Sequence, residues 1–196
     1  MSGLAPLVKR PVAAEGVMRR TLHTVTLECV AGDIAAQADM AAVVNAANAQ
    51  LRTGGGVAGA LHRKAGPGLE EECRPLAPIH PGQAVITGAH GLPNRHVIHC
   101  LGPMYGVDEP SADLLASCYR EALRLAEQHG VESVTFPALS TGAFGYPIQE
   151  AARVAAETIV RAVPGLAHVR HIRFVLFSER DLAVHAQAVD AALAPG

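Results

Sequence analysis

The sequence predicts an α/β fold in which one sheet is covered by helices on both faces. Short apolar or β-branched runs alternate along the chain with longer helical segments, and this alternation is typical of such a sheet. Two glycine-rich loops, residues 54–59 and 140–146, each lie between a predicted strand and a predicted helix. With 196 residues, 49% of them hydrophobic, the chain is long enough for one domain with a sizeable core.

The strands are predicted from short apolar runs between turn residues. Apolar and polar residues alternate from Thr24 to Cys29, which is the pattern of a half-buried strand. The further predicted strands, each bounded by Gly, Pro or Asn, are residues 41–44, 84–87, 96–101, 133–136 and 172–177. The fold proper is predicted to begin near Thr21, so that residues 21–196 form a single domain. Residues 1–20, with four Gly or Pro residues and no clear periodicity, are predicted to be a loose leader.

The helices are predicted at residues 57–64, 68–76, 111–129, 147–163 and 180–193. Residues 111–129 give the clearest pattern, with apolar residues at helical spacing. Ser111 is a plausible N-cap there, and Gly130 is the expected stop.

Composition limits the classes of partner. The formal net charge of −2, with no run of Lys or Arg, argues against tight binding to a nucleic-acid backbone. The 4 cysteines lie far apart and form no Cys-x-x-Cys pair, so the sequence suggests neither a zinc site nor a disulfide framework. A reducing compartment, the cytoplasm, is therefore expected. No secretory signal and no run of ~20 apolar residues are found. We expect a cytoplasmic monomer without a membrane span.

Histidines do not predict a metal site. His96 and His99 lie three positions apart on a predicted strand, so their side chains should point to opposite faces. His62, three residues past the first glycine loop, is expected to orient that loop rather than act as a base. Cys73 and Cys100 are expected to be small buried hydrophobic residues.

The two glycine loops predict a diphosphate site. Glycines leave no Cβ to keep a ligand away, so backbone amides can converge on an anion at a helix N-terminus. One such loop is weak evidence, because glycines often only make a turn. Two similar loops can face one another across the crevice at the carboxyl ends of strands. Residues 54–59 and 140–146 together therefore favour a diphosphate over a single phosphate.

The sequences of the same loops can be compared with two other kinds of nucleotide-binding site. A P-loop needs Gly-Lys-Ser or Gly-Lys-Thr, and neither loop contains a lysine, so NTP hydrolysis of that type is excluded. Residues 54–59 match Gly-x-Gly-x-x-Gly, but residues 45–53 intervene after the strand, whereas a Rossmann fingerprint follows its strand at once. A Rossmann-type NAD site remains a minor alternative.

Two asparagines, Asn45 and Asn48, follow the strand that precedes the first loop. Buried asparagines at such a place can hold loop backbone, and an asparagine amide can also bind ribose hydroxyls because it donates and accepts. The spacing does not decide which asparagine holds the loop backbone and which binds a ribose.

The sequence strongly resembles the macrodomain family, specifically its MacroD-type branch. The matching segments occur in family order at residues 32–34, 43–48, 54–67, 97–103 and 136–147, and the resemblance covers residues 21–192. It implies a three-layer α/β/α sandwich around a mixed sheet of about six or seven strands, with ADP-ribose in a cleft at its crest. No cofactor or metal is implied, since ADP-ribose would be the ligand or product.

The resemblance also implies roles for residues around that ligand. Asp33 would accept a hydrogen bond from the adenine amino group, although read alone it could simply cap a helix. Phe177 would pack on adenine, Phe144 against the distal ribose, and Asn48 would hold that ribose in catalysis with the Gly56 loop amide. With the loop residues, the predicted ligand-binding set is Asp33, Ile34, Asn45, Asn48, Gly54, Gly55, Gly56, Val57, Ala58, Ser140, Thr141, Gly142, Ala143, Phe144, Gly145, Tyr146 and Phe177.

One position departs from the MacroD-type pattern. The glycine loop of those hydrolases usually has an aspartate that helps to activate water, and this sequence has Ala58 there. A methyl group cannot accept a proton, so the usual general-base account does not apply. Some viral macrodomains resemble this loop and include hydrolases in which ligand phosphate and loop amides place the water.

Two functions remain open, and the MacroD-like segments that flank the first glycine loop favour the first of them. One is hydrolysis of mono-ADP-ribose from acidic side chains of proteins, with deacetylation of O-acetyl-ADP-ribose. The other is a non-catalytic module that reads ADP-ribose. The expected partners are accordingly ADP-ribose, O-acetyl-ADP-ribose and mono-ADP-ribosylated proteins.

Overall fold

The computed structural model describes residues 16–195, which contain a seven-stranded mixed sheet. Its strands are β1 (Val17–Leu22), β2 (Val25–Ala31), β3 (Ala42–Ala46), β4 (Ala84–Gly88), β5 (His96–Cys100), β6 (Ser133–Phe136) and β7 (His171–Leu176). The spatial order is β1-β2-β7-β6-β3-β5-β4. The central strands β2, β7, β6, β3 and β5 are parallel, and the edge strands β1 and β4 are antiparallel to their neighbours. The carboxyl ends of all the parallel strands therefore meet at one edge.

Helices cover both faces of the sheet. They are α1 (Gly56–Ala65), α2 (Pro67–Cys73), α3 (Ser111–Gln128), α4 (Ile148–Ala162) and α5 (Glu179–Leu193). Buried side chains of α1 and α2 form one core cluster with the sheet, and those of α3, α4 and α5 form the other. The predicted three-layer α/β/α sandwich is confirmed. Within residues 16–195, no helix is both long and apolar enough to cross a membrane.

The central strands are mostly apolar on both faces because both faces are covered. Val43 packs in the cluster with α1 and α2, and its neighbour Val44 packs in the opposite cluster. On the α3 side, the ring of Phe136 lies 5.2 Å from that of Tyr119 and 6.1 Å from that of Phe174, measured between centroids. Phe136 is the last residue of β6, so this packing anchors the strand end that leads into the second glycine loop.

The predicted strands and helices are all present, with ends that mostly differ by one or two residues. The segment predicted as one helix over residues 68–76 ends as an α-helix at Cys73 and continues as a 3-10 turn, Arg74–Leu76. Pro75 explains the change, because proline has no N–H for the α-helical hydrogen bond. Gly130 follows the end of α3, as predicted.

The prediction that Ser111 caps α3 was wrong. Pro110 occupies the N-cap and gives no side-chain cap, and Ser111 is the first helical residue. The Ser111 hydroxyl instead donates to the carbonyl of Asp108 at 2.7 Å, and the Ser111 N–H donates to the Glu109 carboxylate at 2.8 Å. The carboxylate of Glu109 thus takes the place of the expected serine cap.

The predicted boundary between leader and domain also needs correction. Residues 17–20, assigned above to the leader, form most of strand β1. Arg19 and Arg20 hid this strand because they interrupt its apolar pattern. Arg19 lies opposite Glu28 in the strand register and pairs with it, and Arg20 pairs with Asp190 of α5 at 2.7 Å. The rest of the predicted leader, residues 1–15, lies outside the described residues.

A buried ion cluster joins the strands on that side of the sheet. Glu28 is only 2% exposed and accepts hydrogen bonds from Arg19, Arg173 and His171. Arg173 also binds both carboxylate oxygens of Asp39, at 2.8 and 2.7 Å. Burial alone would raise the pKa of Glu28, but hydrogen bonds from the two arginines, together with the charges of Arg173 and His171, lower it. Glu28 is therefore an ionised carboxylate, and its buried charge depends on these partners for stabilisation.

Candidate functional site

A cleft of about 950 Å³ lies at the carboxyl ends of the parallel strands. This is the edge at which open α/β sheets bind ligands, because loops leave the strands there with their backbone groups free. Segments that follow β2, β3, β5, β6 and β7 all contribute. The lining residues are Gly32, Asp33, Ile34, Ala46, Ala47, Asn48, Gly54–Ala58, Ala60, Gly102, Pro137–Phe144, Tyr146, Ile148, Val175, Leu176, Phe177, Arg180 and Asp181.

The first wall is the N-terminus of α1. This helix begins at Gly56, and its N-cap residue Gly55 supplies no side-chain acceptor. The first-turn amides of Gly56, Val57 and Ala58 therefore have no capping partner, and the helix dipole favours negative charge near them. Gly56 has a φ of +54°, a conformation that suits glycine.

The backbone before α1 approaches the helix so closely that residue 59 must be glycine. A Cβ atom on Gly59 would lie 2.3 Å from the carbonyl oxygen of Gly54 and 2.9 Å from a guanidinium nitrogen of Arg63. The glycine thus lets the loop fold back over the first turn of the helix. The position of the Gly54–Gly56 backbone depends on this contact.

The opposite wall is the loop after β6. Its two ends are tied together, because the Tyr146 N–H donates to the Ser140 carbonyl at 2.9 Å and Gly145 N–H donates to Gly142 at 3.0 Å. The hydroxyl of Thr141 donates to the carbonyl of Ala138 at 2.8 Å, so it is engaged within the loop. In residues 16–195, the amides of Gly142 and the two following residues donate to no protein acceptor. The two walls thus offer two sets of free amides across one cleft.

Asn48 lies beside the first wall with part of its hydrogen-bonding capacity free. Its Nδ2 donates to the carbonyl of Arg52 at 2.8 Å, and its Oδ1 accepts from the N–H of Arg52 at 3.0 Å. A primary amide has two donor hydrogens and an oxygen with two lone pairs, so both groups retain one position. Asn48 therefore holds the loop and can still bind a group in the cleft.

Asn45 is not brought into the cleft, which corrects the prediction that it binds ligand. Its side chain is buried below the cleft, where Nδ2 lies 3.1 Å from Nδ1 of His99 on the neighbouring strand. Nε2 of His99 lies 2.9 Å from the hydroxyl of Thr87 and 3.5 Å from the sulfur of Cys73. Asn45 lies within β3 and is buried, whereas Asn48 follows the end of that strand and lines the cleft. Asn45 takes the structural role, and Asn48 lines the site.

The imidazoles near this wall are neutral. Burial lowers the pKa of His99 to about 3, and burial also lowers the pKa of His62, against an opposing effect of Glu70. Neither ring nitrogen of His62 has a partner within the described residues, so the prediction that this ring orients the loop has no hydrogen bond to support it. No Lys or Arg of this wall lines the cleft, so backbone amides are its means of attracting an anion. Cys73 and Cys100 are buried, as predicted.

The other end of the cleft carries a carboxylate and an exposed ring. Asp33 caps the 3-10 turn Ile34–Ala36, accepting from the N–H of Ala35 at 2.8 Å through one oxygen only. Phe177 directly follows β7 and is 86% exposed. An exposed phenylalanine at the mouth of a cleft offers a flat apolar surface to a planar ligand. Together the two side chains could bind a ring that carries a hydrogen-bond donor.

Comparison with known proteins identifies the family of this chain. The macro domain sequence model matches residues 44–155, more than half of the chain. The chain belongs to the macro domain family. A macro domain-containing protein of Streptomyces nogalater is 50% identical over 159 residues, covering 78% of this chain and 85% of that protein.

Solved macrodomains share the fold. An Oceanobacillus iheyensis macrodomain with ADP has a TM-score of 0.85 and 38% identity, over 89% of this chain and 95% of that one. A Trypanosoma brucei macrodomain in complex with ADP-ribose has a TM-score of 0.76 and 34% identity, over 83% of this chain and 68% of that one.

Most of the predicted site residues line the cleft of this macrodomain, and Asn45 and Gly145 do not. Gly145 closes the second loop instead of facing the cleft. Sequence reasoning missed Arg180 and Asp181, which enter the cleft from the first turn of α5. Their position just past the end of β7 was the available signal, because that is the sheet edge at which the other site residues lie.

Ala58 leaves the amide-lined part of the macrodomain cleft without a general base. The side chain is buried in the first turn of α1. The ionisable carboxylates and the arginine that line the cleft are Asp33, Asp181 and Arg180, which follow β2 and β7. The lining segments after β3 and β6 contain no carboxylate, imidazole or thiol. Among the described residues, no group of three His, Cys, Asp or Glu side chains could hold a metal ion.

Proposed function

We propose that this macrodomain binds ADP-ribose, with the diphosphate between its two walls of backbone amides. The observation that carries the proposal is the pair of facing loops with uncapped amides at a helix N-terminus and around Gly142. Asp33 and Phe177 provide a carboxylate acceptor and an aromatic surface for adenine at one end of the cleft. Asn48, with Phe144, provides a site for the distal ribose at the other. The ligands of the related macrodomains, ADP and ADP-ribose, support this choice of ligand.

We further propose that the bound ligand is a substrate. Water attack on the ester linkage would release mono-ADP-ribose from acidic side chains of proteins, and the same site would deacetylate O-acetyl-ADP-ribose. Since Ala58 offers no base, the ligand phosphate and the loop amide of Gly56 place the water while Asn48 fixes the ribose. Preorganised donors and correct positioning can supply a large part of a barrier reduction without a side-chain base.

A non-catalytic ADP-ribose reader is the second candidate. Ala58 favours it directly, because the amide-lined part of the cleft contains no side chain that could activate water. Both functions require the same binding mode. They differ only in whether the ester bond is broken.

The decisive experiment uses an automodified mono-ADP-ribosyl acceptor that carries ADP-ribose on acidic side chains. We expect the macrodomain to release the label above a buffer control, and calorimetry to show binding of free ADP-ribose. Binding without release would leave the reader function alone. Absence of ADP-ribose binding would contradict both candidate functions.

Gly59→Ala is expected to weaken ADP-ribose binding by at least about tenfold. The added methyl group would meet the Gly54 carbonyl at 2.3 Å, and relieving an overpacked contact of this kind costs about 1–3 kcal/mol or displaces the backbone that should hold the diphosphate. Calorimetric titration with ADP-ribose measures the loss. Gly165→Ala is the matched control, since a Cβ there meets no atom within 4 Å, and its affinity should equal that of the unsubstituted protein.

Ala58→Asp is expected to weaken ADP-ribose binding by about 3- to 10-fold without raising kcat. The new carboxylate would lie in the first turn of α1, where its charge repels the diphosphate. Ala58→Asn is the control of nearly equal size without the charge, and it should weaken binding less. Single-turnover release and calorimetry separate the two effects. A clear rise in kcat for Ala58→Asp would show instead that the missing base limits turnover.

A further inference from the structure

A loop beside the cleft carries an unusual concentration of exposed apolar side chains. Within residues 16–195, three of the five exposed large hydrophobic residues are Met104, Tyr105 and Val107, which are 41, 41 and 67% exposed. The other two are Phe177, in the cleft, and Leu76, in the turn after α2. Exposed apolar side chains that occur together mark interaction surfaces. We call residues 104–107 the rim loop.

Hydrogen bonds brace the backbone of the rim loop although its side chains are exposed. The N–H of Met104 donates to the Asp108 carboxylate at 2.8 Å, and the N–H of Asp108 donates back to the Met104 carbonyl at 2.9 Å. The N–H of Val107 also donates to Met104 at 3.1 Å. A surface that is already ordered loses little conformational entropy when a partner binds. The rim loop is therefore preorganised.

The rim loop is joined to the loop that lines the cleft. The N–H of Tyr105 donates to the carbonyl of Phe144 at 2.9 Å, and the ring of Tyr105 lies 4.7 Å from that of Tyr146, which lines the cleft. In the proposed binding mode, Phe144 contacts the distal ribose. The acceptor residue is attached to that ribose, so the polypeptide leaves the cleft at this side.

The surroundings of the rim loop are acidic. The hydroxyl of Tyr105 donates to the Glu150 carboxylate at 3.3 Å, and Asp108 and Glu109 follow the rim loop. These carboxylates accept from N–H or hydroxyl groups and pair with no Lys or Arg in the described part of the chain. The nearby Arg153 is paired with Glu157 at 3.4 Å. A partner with Lys or Arg next to apolar side chains complements this surface.

We propose that the rim loop binds the acceptor polypeptide beside its ADP-ribosylated residue and favours acceptors with apolar and basic residues at that position. The inference rests on the proposed function, because the binding mode of ADP-ribose determines where the polypeptide leaves the cleft. It assigns selectivity among modified proteins to residues outside the ADP-ribose cleft.

The test compares free ADP-ribose with synthetic peptides that carry ADP-ribose through a stable, non-hydrolysable linkage. In one peptide, Lys and Leu flank the modified residue; in the other, Glu and Ser flank it. Calorimetry should show that the Lys/Leu peptide binds about fivefold more tightly than the Glu/Ser peptide at low salt, and the preference should shrink as ionic strength rises. Binding is the readout, so the test does not require turnover.

Three variants test which residues cause the preference for the Lys/Leu peptide. The double variant Met104→Ser/Val107→Ser should lose most of it while the Kd for free ADP-ribose stays within about twofold. Glu150→Gln removes a charge but keeps an acceptor for Tyr105, and it should lower the preference about twofold. Leu76→Ser is the matched control, because it removes an exposed apolar side chain outside the rim loop. It should retain the full preference.

Each result bears on the inference. Equal binding of the two peptides, or a preference that survives in the double variant, would overturn it while leaving ADP-ribose binding intact. Loss of binding to free ADP-ribose in the double variant would also overturn it, because the rim loop would then act on the cleft. If the unsubstituted protein does not bind free ADP-ribose, the proposed function fails, and this inference fails with it.

Discussion

Replacing Asn48 with alanine is expected to lower kcat for release of mono-ADP-ribose by about 100-fold, while the Kd for ADP-ribose rises less than about fivefold. The reason is that the free donor and acceptor positions of Asn48 would orient the ribose for water attack, whereas most of the binding energy comes from the diphosphate and adenine. Single-turnover rates and calorimetric affinities of the purified variant measure the two effects separately. Equal losses in rate and affinity would contradict a catalytic role.

Asn48 also holds the backbone of Arg52, so the prediction needs a control for loop order. Glu70→Ala supplies it, because the Glu70 carboxylate accepts from both the N–H and the hydroxyl of Thr53, at 3.2 and 3.1 Å. This variant loosens the same loop without touching Asn48. We expect its kcat to fall much less than that of Asn48→Ala. A similar fall in both variants would mean that Asn48 acts only by ordering the loop.

The contrast between Asn45 and Asn48 shows what sequence reasoning can and cannot predict for this site. The sequence predicted that both asparagines lie at the carboxyl end of a strand, and the structure agrees. It could not predict their direction, because that depends on His99, which lies 54 residues away and pairs with Asn45 only once β5 lies next to β3. The role of the glycine loops is easier to predict, because they would bind through backbone amides, so no side-chain direction has to be known.

The strand β1 illustrates the same limit for the fold. Its arginines hid it from a search for apolar periodicity, because their partners are far away in sequence. Arg19 forms an ion pair with Glu28 on the neighbouring strand, and Arg20 forms one with Asp190 of α5. The inner strands were predicted well because both of their faces are buried, so their composition is dictated locally. The edge strand β1 depends on distant partners. The error at Ser111 has a local cause instead, because the Glu109 carboxylate, two residues earlier, accepts from its N–H.

Arg173→Met is expected to lower the free energy of unfolding by about 3 kcal/mol at pH 7, because it leaves Glu28 buried with fewer compensating partners. Methionine fills much of the space of the arginine side chain, so the loss reflects charge more than packing. Urea denaturation followed by circular dichroism measures it. Arg153→Met is the matched control: Arg153 is exposed and forms one surface pair, so its loss should cost less than about 0.5 kcal/mol.

The same variant should change how stability depends on pH. Hydrogen bonds from Arg173 lower the pKa of Asp39, and the arginines lower the pKa of Glu28 against the opposing effect of burial. Carboxylates with a lowered pKa stabilise the fold above their unfolded pKa of about 4, and this stabilisation is lost as pH falls through the folded values. Without Arg173, burial should raise the pKa of Glu28, so that acid neutralises it and relieves the buried charge. The stability difference between the two proteins should therefore shrink from pH 7 to pH 4. A difference that stays constant over that range would mean that Arg173 stabilises the fold through packing and not through its charge.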